Sequence, residues 1–117
     1  MIIGAHITIT KGLDKACLMT KEIGGNAFQF FSRNPRGGKA REISRSEIEL
    51  YANSREEEGI VAVVGHLPYT VNMAAENEST YAFAGSIVEN DLERAEAAGF
   101  DYLVVHPGRN KDRQEGL

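Results

Sequence analysis

Four short apolar runs, separated by stretches of helical period, constrain this chain more than any other feature. The runs are Ile2 to His6, Ala27 to Phe31, Ile60 to Val64 and Tyr102 to Val105. After the first, Leu13, Ala16, Cys17, Thr20 and Ile23 recur at steps of three and four, the spacing of one helix face. Before the third, Ser44 and Glu47 have capping-box spacing, and Ile43 and Ile48 take the N′ and N4 positions of a hydrophobic staple. A helix therefore begins at Ser44, with Ile48, Tyr51 and Ala52 on its inner face. A third helical stripe reads Tyr81, Ala84, Val88, Leu92, Ala95 and Ala98. Glycines at 24/25, 59 and 99 close the three helices, where a left-handed residue often ends the last turn. The order βαβαβαβ predicts a parallel sheet with helical crossovers. Because the runs are continuous and do not alternate, both sheet faces are expected to be covered. A flat doubly wound sheet and a curled, barrel-type sheet both satisfy this pattern.

The 117 residues suit one domain, 1–117, since ordinary domains run to roughly 100–200 residues. With 42% hydrophobic and 26% charged residues, disordered and fibrous classes are excluded. A net charge of −4 leaves no global electrostatic footprint for nucleic acid. Locally, "SRNPRGGKAR" gathers Arg33, Arg36, Lys39 and Arg41 with no acid among them. Cys17 is the single cysteine, so no intrachain disulfide can form, and its place on an apolar helix face reads as a core thiol. The chain lacks a signal-peptide pattern and any run near the ~20 apolar residues of a membrane span, so a cytoplasmic protein is expected.

All three histidines stand where an apolar run ends: His6 in "MIIGAHITIT", His66 in "VVGHLPYTVN" and His106 in "YLVVHPGRN". In parallel α/β folds binding groups gather at the carboxyl ends of the strands, where loops open outward from a rigid sheet. Each histidine alone reads as a hydrogen-bonding strand end; three in equivalent places point to a shared site. No GxSxG elbow, Cys–His pair or glycine-rich phosphate fingerprint accompanies them. Metal binding by neutral imidazole is the better reading, although zinc takes about four donors and no carboxylate stands at a strand end. Asp101 precedes its strand and so belongs to the opposite edge.

"IGAHI", "FQFFSRNPR", "GHLPYTVN" and "VVHPG", in this strand order, resemble the endonuclease IV family of zinc-dependent apurinic/apyrimidinic endonucleases. The resemblance covers essentially the whole chain. It implies the first four βα units of a TIM-type (β/α)8 barrel, that is, a partial or half barrel with parallel strands. It further implies a rim that holds three zinc ions in a complete site and hydrolyses the phosphodiester 5′ to abasic sites in double-stranded DNA. Carried over by residue, His66 and His106 match ligands of one zinc ion, and His6 matches a histidine that lines the site without ligating. Arg36, Tyr69 and Asn34 match the DNA-contacting loops, the tyrosine wedging into the bent duplex.

Family members are normally more than twice this long, with the eight strands of a complete barrel. Further ligands, including a bridging glutamate, would come from strands beyond Leu117. The chain is therefore expected to hold at most one partial zinc site, to have no catalytic group independent of metal, and to be incomplete on its own. The loop also departs from the family form in following its arginine with glycine instead of glutamine or tryptophan. Unpaired edges on the first and fourth strands predict self-association, or a chain that is a truncated product of a longer gene. Two alternatives share the fold: a sugar-phosphate isomerase or epimerase, and a non-catalytic, self-associating α/β module. Exposure of Arg36 and Tyr69 separates the endonuclease from the first alternative, because an enzyme for small sugars has no need to display that pair, and tight oligomers without bound metal would mark the second.

Overall fold

The computed structural model describes residues 1–36 and 38–117, so Gly37 of the "NPRGGK" stretch lies outside the described residues. The element order is β1 (Gly4–His6), α1 (Leu13–Glu22), β2 (Ala27–Phe31), α2 (Arg45–Glu57), β3 (Ala62–His66), α3 (Glu78–Ala98) and β4 (Tyr102–Val104). The strands pair in parallel, in the order β1-β2-β3-β4. Consecutive neighbours joined by right-handed crossovers put every helix on the same side of the sheet. This is the barrel-type sheet, and the doubly wound alternative is excluded, because its strand order must reverse.

The expectation that both faces are covered is corrected. In β2 and β3 burial alternates: Phe28, Phe30, Val63 and Gly65 are buried, while Ala27, Gln29, Phe31, Ala62, Val64 and His66 are half-buried. The first set faces the helices and the second a side that no helix covers among the described residues. The continuous apolar runs hid this, because the open face also carries small and aromatic side chains. One core joins Leu13, Ala16 and Cys17 of α1 to Phe28, Phe30, Tyr51, Ile60 and Val63. Burying a side chain such as Phe30 contributes about 1.5–3 kcal/mol. A second cluster packs Ala84 and Ile87 of α3 on Leu67 and Val71. Burial pushes the Cys17 thiol up to about 11, the behaviour of a core thiol.

Several local expectations shift. Ile2 and Ile3 lie outside β1 and are exposed, and β3 runs to His66 instead of ending at Val64. Ile23, at the C-cap of α1, and Ala52 on α2 are also exposed. The Ser44 hydroxyl accepts from the Glu47 amide at 3.2 Å, which is half of a capping box. The Glu47 carboxylate does not return to Ser44; it accepts from Arg41 at 2.6 Å and from the Leu13 amide at 2.9 Å, tying α2 to the start of α1. On α3 the buried face is Ala84, Ile87, Asp91, Ala95 and Ala98, leaving Tyr81 and Leu92 of the expected stripe exposed. At the amino edge Asp101 pairs with Arg55 at 2.7 Å and accepts from the Val63 amide, so its place away from the histidines is as expected.

Candidate functional site

The register carries the site. His6 is paired with Gln29, and Phe31 with His66, which in turn is paired with Val104, two residues before His106. Residues paired across a parallel sheet project from the same face, so β1, β2 and β3 present His6, Phe31 and His66 on the open side of the carboxyl edge. The rings form a row: His6 to Phe31 at 4.6 Å, Phe31 to His66 at 5.5 Å, and His66 to His106 at 5.2 Å between centroids. Two of the three histidines are therefore direct neighbours, and Phe31 separates the third from them.

Hydrogen bonding distinguishes the histidines chemically. His66 Nδ1 donates to the Leu67 carbonyl at 2.6 Å. A carbonyl can only accept, so in the neutral ring the proton lies on Nδ1 and the Nε2 lone pair is available to a metal. At His6 the roles reverse: Gln29 Nε2 donates to Nδ1 at 3.1 Å, which engages the ring's basic nitrogen. Burial, together with the nearby His66, lowers the His6 pKa. The arrangement offers one lone pair on His66 beside His106, while Nδ1 of His6 is already engaged by Gln29. No group of three or more His, Cys, Asp or Glu side chains is placed to hold a metal among the described residues.

The β2–α2 loop flanks this edge. Arg36 is exposed, and Asn34 shapes its approach: the Asn34 side-chain oxygen accepts from the Arg36 amide at 2.9 Å, while the Asn34 amide donates to the Lys39 carbonyl at 2.9 Å. Tyr69, in the loop after β3, is 70% exposed. Between the β1–α1 and β2–α2 loops lies a cleft of about 770 Å³, lined by His6, Ile9, Met19, Phe31, Asn34 and Lys39 among others. The basic cluster read from the sequence is divided. Arg33 is buried and pairs with Asp91 at 2.6 Å, and Arg41 pairs with Glu47, leaving Arg36 and Lys39 facing solvent. Asp91 and Arg94, which hold this loop from α3, carried no role in the sequence reading. Their signal was an acid recurring within the apolar spacing 84, 87, 91, 95, 98.

A family model described as xylose isomerase-like TIM barrel matches residues 18–117. Among relatives, a protein named "Probable endonuclease 4" from Moorella thermoacetica is 42% identical over the whole chain, which spans 42% of that protein. One of the same name from Heliobacterium modesticaldum is 44% identical over 92% of the chain, which spans 39% of it. The crystal structure of endonuclease IV from Thermus thermophilus superposes on 97% of the chain with a TM-score of 0.86 and 32% identity, and 43% of that enzyme is matched. A structure of D-psicose 3-epimerase, at 11% identity and a TM-score of 0.64, shares the fold. The chain thus spans about two fifths of the length of the relatives it matches.

Proposed function

Because this chain belongs to the xylose isomerase-like TIM-barrel family, we propose that it supplies the amino-terminal part of a zinc-dependent apurinic/apyrimidinic endonuclease of DNA repair. In this reading the enzyme cleaves the phosphodiester 5′ to an abasic site in duplex DNA. The observation that carries the reading is the adjacent His66–His106 pair, 5.2 Å between ring centroids, on an edge flanked by exposed Arg36 and Tyr69. The two imidazoles fit zinc as two of its roughly four donors, and the Nδ1–carbonyl bond of His66 is the kind of contact that orients a zinc-bound histidine. His66 and His106 would share one ion, and the complete family cluster of three requires donors from outside the described residues. When bound, zinc supplies Lewis acidity and activates water for hydrolysis.

The chain's own residues bind and orient. Arg36 offers a guanidinium to backbone phosphates from a loop shaped by Asn34, and exposed Tyr69 can wedge beside an unstacked step of bent DNA. His6, already bonded to Gln29, lines the site without ligating. A sugar epimerase is the second reading, on fold alone, and the exposure of Arg36 and Tyr69 favours DNA over a small sugar. The third reading, a non-catalytic module, is opposed by the free lone pair of His66 beside His106. Association of chains through the open sheet belongs to the main proposal, as does a cytoplasmic location. No helix is long and apolar enough to cross a membrane among the described residues.

The test is a duplex carrying one abasic site, incubated with the protein with and without chelator, His106→Ala running in parallel. Zinc content and preference for abasic over intact duplex are measured on the same samples. Chelator-sensitive nicking that His106→Ala abolishes supports both the family chemistry and completion of the site by associated chains. Zinc uptake with abasic preference but no nicking supports the binding role alone. A protein that holds no zinc and does not distinguish the two duplexes overturns the proposal.

A further inference from the structure

We infer that Asn72 is the positioning residue that sets the His66–His106 pair, its side-chain amide standing in for a strand's peptide group between two loops. The inference deepens the proposed reading of that pair as a metal site and rests on it only for the zinc measurement below.

The last β3–β4 contact is the Leu67 amide donating to the Val104 carbonyl at 2.9 Å, and His106 lies beyond it. Past that point the segment carrying His106 is held by Asn72. Its Nδ2 donates to the Arg109 carbonyl at 3.0 Å, and its Oδ1 accepts from the Arg109 amide at 2.8 Å and from the Ala74 amide at 3.2 Å. A carboxamide has the donor and acceptor of a peptide, so both backbone groups of Arg109 are satisfied as a neighbouring strand would satisfy them. The zipper continues as Asn110 Nδ2 donates to the Ala74 carbonyl at 2.9 Å and the Lys111 amide to Glu76 at 3.1 Å.

Gly108 completes the clamp. Its φ of 95° lies in the region favouring glycine, and a Cβ there would collide with Asn72 Oδ1 and stand 2.9 Å from the Met73 amide nitrogen. "H-x-x-Y-x-x-N" and "H-P-G-R" thus become two halves of one device. Each carries a histidine and, a few residues on, one side of the clamp, with Pro107 restricting the backbone between His106 and Gly108. Closing the clamp holds the two rings side by side, although the hydrogen bonds of Asn72 go to Arg109 and Ala74 and not to either imidazole.

The test compares wild type with Asn72→Ala, Asn72→Asp and Gly108→Ala by proton NMR of the full chain. Two ring–ring contacts are followed: His66–His106, which the clamp sets, and Phe31–His66, which the sheet sets. The expected result is loss of the first with retention of the second in Asn72→Ala and Gly108→Ala. Asn72→Asp, which keeps the acceptor and loses the donor, should fall between them and wild type. Zinc affinity should drop about 10–100-fold in Asn72→Ala, the usual effect of removing a group that orients ligands. Retention of the His66–His106 contact in both Asn72→Ala and Gly108→Ala overturns the inference. So does loss of both contacts in the mild Asn72→Asp, which would make the residue a general requirement for folding. A wild type that shows the clamp behaviour but binds no zinc upholds Asn72 and sinks the metal reading instead.

Discussion

Asp91 has no side-chain exposure, yet it accepts hydrogen bonds from Ser32, from Arg33 at 2.6 Å and from Arg94 at 3.0 Å. The two guanidiniums it holds then grip the β2–α2 loop by its carbonyls: Arg33 at Gly38, and Arg94 at Ser32 and Arg41. Burial pushes this carboxyl up, but the hydrogen bonds of Arg33 and Ser32 and the arginine charges outweigh burial and leave its pKa lowered. A lowered folded value stabilises fully above the ordinary carboxylate pKa of about 3.9, and the contribution is lost as pH falls through the folded value. Asp91→Asn, which leaves Arg33 buried without its counter-charge, should cost about 3–5 kcal/mol in urea unfolding at neutral pH. The gap to wild type should narrow as the acid limb is approached. A cost below about 1 kcal/mol, typical of exposed pairs, would show that the network holds nothing in place. None of this was legible in sequence, because Arg33 and Asp91 are 58 residues apart and each alone looks like a solvated charge. The histidines were legible for the opposite reason, since strand ends are local features that parallel pairing brings to one edge of the sheet.

At the level of elements, the buried face of α1 was legible, whereas on α3 the helix and its Ala84, Ala95 and Ala98 positions were legible but the rest of the buried face was not. The Leu13, Ala16, Cys17 and Thr20 stripe is the buried face of α1, because one layer of core contacts decides it. On α3 the apolar residues outnumber those that one face can bury, and the spacing through Tyr81, Val88 and Leu92 competes with the one through Ile87 and Asp91. The second wins because Asp91 must reach Arg33, which turns the helix and leaves Leu92 52% exposed and Ile87 8% exposed. Ile87→Ala should therefore cost about 2–5 kcal/mol, while Leu92→Ala stays within about 0.5 kcal/mol in the same denaturation series. Equal costs would return α3 to the orientation its strongest apolar spacing predicts. The capping box shows the same principle on a smaller scale. Ser44 caps α2 as its position dictates, but Glu47 is drawn to Arg41 and Leu13, partners that local spacing does not reveal.

The whole molecule is a single curved layer of strands backed on one side by helices, and its dimensions reflect that. A compact chain of this length has a radius of gyration of roughly 13 Å, whereas this one has 15.6 Å, with extents of 48 × 30 × 21 Å. Half-buried Phe31, Val64 and His66 line the open face, and Tyr102 of β4 stands 65% exposed at its margin. The outer edges of β1 and β4 have no strand partner among the described residues. Unpaired backbone groups beside an apolar face recruit further strands, and a second copy of the chain can provide them. Sedimentation velocity over a concentration series should then show reversible association at neutral pH. Tyr102→Lys places a charge where a joining strand would have to bury it, so it should shift the population toward monomer while leaving the circular dichroism of the fold unchanged. Wild-type chains that stay monomeric at every concentration would mean that this face tolerates water. The edge argument would then fail, and with it the route by which associated chains could complete the His66–His106 site.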